Sequence, residues 1–107
     1  MPTIDDTMKV LPNRFQPKMA GNMQTTIQFH FTGPDGGVWV LTIHDGNCTT
    51  QSGHVENPDA TVTMAASDFV GINTGEISAP EVFWSGRIHI QGDVEAVIGL
   101  APIMNWQ

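Results

Sequence analysis

Between Asn57 and Asp93 the chain reads NPDATVTMAASDFVGINTGEISAPEVFWSGRIHIQGD, and its hydrophobic period changes twice. Ala60, Val62 and Met64 alternate with threonines, the period of two expected of a strand with one buried face. Ser67 or Asp68 is then placed to open a helix of about two turns that stops at Gly75. Ser78-Ala-Pro-Glu81 has the form of a capping box, with Ser78 capping, Pro80 suited to the first turn and Glu81 reaching back. Gly86 ends that helix, and Ile88 and Ile90 alternate with Arg87, His89 and Gln91 on a further strand. The two short helices carry Phe69, Val70, Ile72, Val82, Phe83 and Trp84, with no catalytic triad, metal-ligand spacing or phosphate loop nearby. Such a stretch points to an apolar cavity as the working surface.

The flanking segments complete a sheet. Residues 5–15, DDTMKVLPNRF, predict a short amphipathic helix capped by Asp5, Asp6 or Thr7, with Met8, Leu11 and Phe15 facing inward and Pro12 limiting its length. Gln16 to Asn22 reads as a connector. Met23, Thr25, Ile27, Phe29 and Phe31 alternate with Gln24, Thr26, Gln28, His30 and Thr32; Gly33-Pro34-Asp35-Gly36-Gly37 forms a turn, and Trp39, Leu41 and Ile43 resume the alternation. Asp45-Gly46 signals a hairpin into a polar edge strand over Cys48–Gly53. After Gly92-Asp93 a helix carries Val94, Val97, Ile98 and Ala101 on one face, and Pro102 is expected to break it. The pattern predicts one α+β domain over residues 1–107: a five-stranded, mostly antiparallel sheet with helices packed on one face.

Charge narrows the partners. Four basic residues stand against eleven acidic ones, a net charge of −7, and after residue 18 Arg87 is the only cation. A surface of this sign repels phosphate backbones and anionic membranes, so nucleic acid is not an expected partner. No apolar run approaches the ~20 residues of a membrane span, so stable membrane insertion is not expected either. The first ten residues lack the basic and apolar regions of a signal peptide, and the last four match neither a peroxisomal tripeptide nor a prenylation box. A single cysteine, Cys48, excludes an internal disulfide. The expected location is the cytoplasm.

The order of elements and the residues at their joints resemble the sterol carrier protein 2 (SCP2) family of lipid-binding domains. The matching features are Phe29–Thr32 followed by Gly-Pro-Asp-Gly-Gly, the Trp39–Asp45-Gly46 strand and turn, and Glu56-Asn57-Pro58-Asp59. They continue through Met64, Asp68-Phe69, Gly75, Phe83 with Gly86-Arg87, and Ile88 to Asp93, so that the resemblance spans roughly residues 7–104. It implies a hydrophobic tunnel between sheet and helices, a fatty acyl, sterol or other lipid-like ligand, and no catalytic residues. The short segment after Pro102 and the lone Arg87 favour a stand-alone domain of bacterial type over sterol transport as such.

With that family in view, the residues expected to line the cavity are Phe69, Ile72, Phe83 and Trp84 from the two middle helices. Met64, Ile88 and Ile90 form its floor, and Ile103, Met104 and Trp106 close one end as a mobile lid. Lys9, Arg14 and Lys18 are the only clustered cations that could clamp a CoA phosphate, so neutral or weakly polar ligands are expected to be preferred. The four histidines show no HxH or HxxxH spacing and are read as solvent-facing, Asp93 as a helix cap and Cys48 as unreactive. No cofactor and no metal are implied. The leading reading is a non-catalytic carrier of a hydrophobic molecule. An alternative is a small enzyme or subunit that orients a hydrophobic intermediate, such as a polyketide or terpenoid, for cyclisation or isomerisation. A third is dimerisation through an exposed Ile103–Trp106 tail, giving a homodimer.

Overall fold

The computed structural model describes residues 2–106. Five strands form one sheet: β1 (Thr25–Thr32), β2 (Gly37–His44), β3 (Asn47–Ser52), β4 (Ala60–Ala65) and β5 (His89–Gly92), in the order β3-β2-β1-β4-β5. The β1–β4 pair is parallel and the other three pairs are antiparallel. Period two in the sequence becomes two faces here. Ile27, Phe29, Phe31, Leu41, Ile43, Val62 and Met64 are buried on the helix-covered face, while Thr26, Thr42, Thr61 and Thr63 are half-buried on the other.

The parallel pair requires the chain to cross the sheet between β3 and β4, and polar side chains fix that crossing. Val55 N–H donates to the Oε1 of buried Gln28 at 2.9 Å, laying the loop on the polar face. The Asp59 carboxylate then accepts from the Thr26 N–H at 2.8 Å and from the Thr25 hydroxyl at 3.4 Å, which sets the start of β4 beside β1. Gly92 sits at φ +97°, where a Cβ would lie 2.5 Å from the Asp59 carbonyl oxygen; only glycine lets β5 close on β4 there.

Among the described residues five α-helices accompany the sheet: α1 (Ile4–Val10), α2 (Pro17–Ala20), α3 (Ala66–Thr74), α4 (Ala79–Trp84) and α5 (Val94–Ile103). Several boundaries differ from expectation. The cap of α1 is Thr3, in a capping box with Asp6, because a helix starting one turn earlier buries Ile4, Thr7 and Met8 together. At Pro12 the chain tightens into a 3-10 turn over Leu11–Arg14, and the expected connector contains α2. Helix α3 starts at Ala66 straight out of β4, so neither Ser67 nor Asp68 caps it. At α4 the Ser78 hydroxyl accepts from Glu81 N–H at 3.1 Å, one half of the expected box.

The largest correction concerns the segment around Pro102. This residue lies in the last turn of α5, which runs on to Ile103. A proline so close to a helix end forfeits one donor, and the chain closes around it by other bonds. Met104 N–H donates to Leu100 C=O at 2.8 Å, Asn105 N–H to Pro102 C=O at 3.3 Å and Trp106 N–H to Ala101 C=O at 2.8 Å. With Asn105 at φ +56°, this is a Schellman cap. Ile103 and Met104, 4% and 0% exposed, are therefore core residues, not a mobile lid or an exposed dimerisation tail.

Candidate functional site

The helices do not seal the β1–β4–β5 half of the sheet. Beneath α3, α4 and α5 lies a half-open cavity of about 290 Å³. Its floor is Phe29 from β1, Val62 and Met64 from β4, and Ile88 and Ile90 at β5. Phe69 and Ile72 come from α3, and Ala79, Pro80, Phe83 and Trp84 from α4. Val97, Ile98, Leu100 and Ala101 come from α5, and Trp106 from the segment after it. Every one of these side chains is apolar.

Local chemistry explains how the walls are placed. Helix α3 ends at Gly75 in the left-handed conformation, φ +83°, with Glu76 N–H donating back to Gly71 C=O at 2.9 Å; this turns the chain toward α4. The Asp93 side chain accepts from Ala96 N–H at 3.0 Å and starts α5 directly after β5, as a cap. Phe69 is the hub of the deep side: its ring centroid lies 5.3 Å from Phe29, 5.0 Å from Phe31 and 5.5 Å from Trp106. The open side carries Trp84, 82% exposed with Phe83 edge-on at 5.5 Å, and Ile98, 54% exposed.

Of the residues expected at the cavity, Met64, Phe69, Ile72, Phe83, Trp84, Ile88, Ile90 and Trp106 are brought together in its lining. Ile103 and Met104 are not; they pack in the core. Val97, Ile98 and Ala101 line the cavity without having been expected to, although their common helix face was visible in the sequence. Phe29 and Val62 carried no signal beyond the apolar alternation of their strands.

Charged groups stay out of the lining. Lys9 is ion-paired with Asp5 at 2.7 Å, and that hydrogen bond raises its pKa. Arg14 donates to the carbonyls of Met104, Asn73 and Asn105 at 3.0, 3.3 and 2.8 Å. Arg87, next in the chain to Ile88, faces Asp68 at 3.7 Å. Half-buried Cys48 has its thiol pushed up to about 11 by burial, so at neutral pH it is a protonated thiol. Among the described residues no cluster of three or more His, Cys, Asp or Glu is set to hold a metal ion, and no helix is long and apolar enough to cross a membrane.

Sequence comparison identifies the architecture. Residues 9–105 match the model of the SCP-2 sterol transfer family. The chain belongs to that family. A mouse member of the matching set, hydroxysteroid dehydrogenase-like protein 2, is 26% identical over 102 residues, which cover 94% of this chain and 21% of the mouse protein. The chain thus spans about a fifth of the length of that relative. Among solved folds of the family type, palmitated SCP2L2 from Aedes aegypti superposes with a TM-score of 0.78 at 20% identity, over 94% of this chain and 90% of that one. The sec-alkylsulfatase Pisa1 from Pseudomonas sp. matches with a TM-score of 0.77 at 20% identity, over 97% of this chain and 16% of the enzyme.

Proposed function

We propose that the chain is a binding module that holds one hydrophobic, lipid-like molecule in the cavity between β1–β4–β5 and the helices. The observation that carries this reading is the wholly apolar lining around about 290 Å³ of space. Burying a methylene contributes ~0.8 kcal/mol. A cavity of this kind therefore takes an alkyl chain or a flat apolar skeleton, and the flexible Met64 thioether lets its floor adapt. The Aedes aegypti SCP2L2 of similar fold carries palmitate, which supports the same class of occupant here.

The head group follows from the charges. Lys9, Arg14 and Lys18 do not line the cavity, and Lys9 and Arg14 are engaged with Asp5 and with backbone carbonyls, so a CoA ester is given no cationic clamp in the described lining. Neutral or weakly polar ligands are preferred. The enzyme reading finds no acid, base or nucleophile among the described lining residues. Of the two acids it relied on, Asp68 faces Arg87 and Asp93 caps α5. Where the fold is part of longer proteins such as Pisa1, any chemistry of those proteins has the rest of their chains to draw on. An unpaired, half-buried Cys48 suits a reducing compartment such as the cytoplasm.

Calorimetric titration with a saturated fatty acid and with the corresponding fatty alcohol tests the reading. One-to-one binding with a negative heat-capacity change is expected, because apolar surface leaves water. Absence of binding by both ligands overturns it.

A further inference from the structure

The cavity's deep wall is held by a hydrogen bond rather than by packing alone. The Trp106 indole N–H donates to Asn73 Oδ1 at 2.9 Å, while Asn73 Nδ2 donates to Phe69 C=O at 2.9 Å. The amide of Asn73 is thereby oriented, with its oxygen facing the indole. The Schellman cap around Asn105 directs Trp106 back toward Ala101, and Arg14 holds the Asn73 and Asn105 carbonyls on either side of the contact. Asn73 also lines a more polar depression of about 440 Å³, together with Arg14, Ser78 and Asn105 among others. Ile72 lines both spaces.

We propose that Trp106 sets the length of alkyl chain the cavity accepts, and that Asn73 is the positioning residue that keeps it there. The inference rests on the lipid-binding reading above. The cavity of about 290 Å³ has room for an alkyl chain of limited length, with the Trp106 indole in its wall. Up to that length each added methylene gains about fourfold in affinity, the equivalent of its burial free energy. Beyond it, the chain meets the indole and the gain stops. Removing the indole enlarges the cavity on the side of Asn73 and moves the limit to longer chains.

The test is a series of saturated fatty acids of increasing length, measured by displacement of a bound apolar dye from the full chain. For the unaltered protein the affinity is expected to rise about fourfold per carbon up to a break, beyond which added carbons gain nothing. Trp106→Ala moves the break several carbons longer. Trp106→Phe, which keeps a ring and removes the N–H, and Asn73→Ala, which removes the acceptor, move it by less. The ring-preserving variant serves if Trp106→Ala does not fold. An unchanged break in the folded variants, or a rise without any break in the unaltered protein, overturns the inference while leaving lipid binding in place. No binding at any length overturns the underlying functional reading as well.

Discussion

Arg14 donates from Nε to the carbonyl of Met104 at 3.0 Å, ninety residues on in the chain, and this bond ties the 3-10 turn after α1 to the end of α5. Two further bonds reach Asn73 and Asn105, so one guanidinium serves the C-terminal ends of two helices, where positive charge is also favoured by the helix dipoles. Arg14→Met should leave these carbonyls without their donor. A loss of about 1–3 kcal/mol in urea-unfolding stability is expected. Arg14→Lys should recover little of it, since a point charge cannot serve three separated acceptors. Wild-type stability in Arg14→Met would show that the three bonds are exchanged for water without loss.

Phe69 and Trp84 both line the cavity but stand at opposite extremes of burial, 2% and 82% exposed. Phe69→Ala removes the ring that Phe29, Phe31 and Trp106 pack against, at a cost of about 3–5 kcal/mol in chemical denaturation. Trp84→Ala should change stability by no more than about 0.5 kcal/mol and still weaken ligand binding. Equal stability effects at the two positions would contradict the packing described.

Cys48 should titrate late. Burial raises its thiol to about 11 from an ordinary value of 9.0, so the folded chain keeps its proton where the unfolded chain has lost it. The associated stabilisation is fully present below pH 9 and is lost as pH rises through about 11. At pH 9 iodoacetamide should therefore alkylate the native protein more slowly than the urea-unfolded chain. Equal rates would show the thiol to be free of that burial.

A CoA ester should bind less tightly than the fatty alcohol of the same chain length, because Lys9, Arg14 and Lys18 do not line the cavity and Arg14 is spent on carbonyls. Parallel calorimetric titrations at low and moderate salt read this directly. Tight, strongly salt-sensitive binding of the CoA ester would overturn the assignment of a neutral or weakly polar head group.

The strands and the cavity floor were legible because alternation is a strong signal: Val62 and Met64, then Ile88 and Ile90, declare one face by spacing alone. Gly75, Ser78 and Asp93 marked helix ends through their own chemistry, and the structure uses all three. Pro102 misled because the strength of a proline break depends on its distance from the helix end. The sequence does not show that the helix bond from Met104 N–H to Leu100 C=O is kept past the proline, nor that Trp106 N–H closes a cap on Ala101 C=O. The Asn73–Trp106 bond was equally hidden, since partners 33 residues apart meet only when α3 and α5 are docked. The same holds for Arg14, which looked like a free cation and is a staple.

The central claim is that the apolar space beneath α3, α4 and α5 holds a lipid-like molecule, and filling that space is the most direct way to challenge it. Val97 is half-buried in the lining, and Val97→Phe places additional volume in the cavity. Native mass spectrometry of the purified protein should find a co-purified apolar molecule, bound one to one, on the unaltered chain and none on Val97→Phe. The variant should unfold at equal or higher denaturant concentration, since a filled cavity commonly adds about 0.5–2 kcal/mol. An unaltered chain that carries no such molecule and takes up no added fatty acid or alcohol, or a folded Val97→Phe that binds as well as the original, would contradict the account.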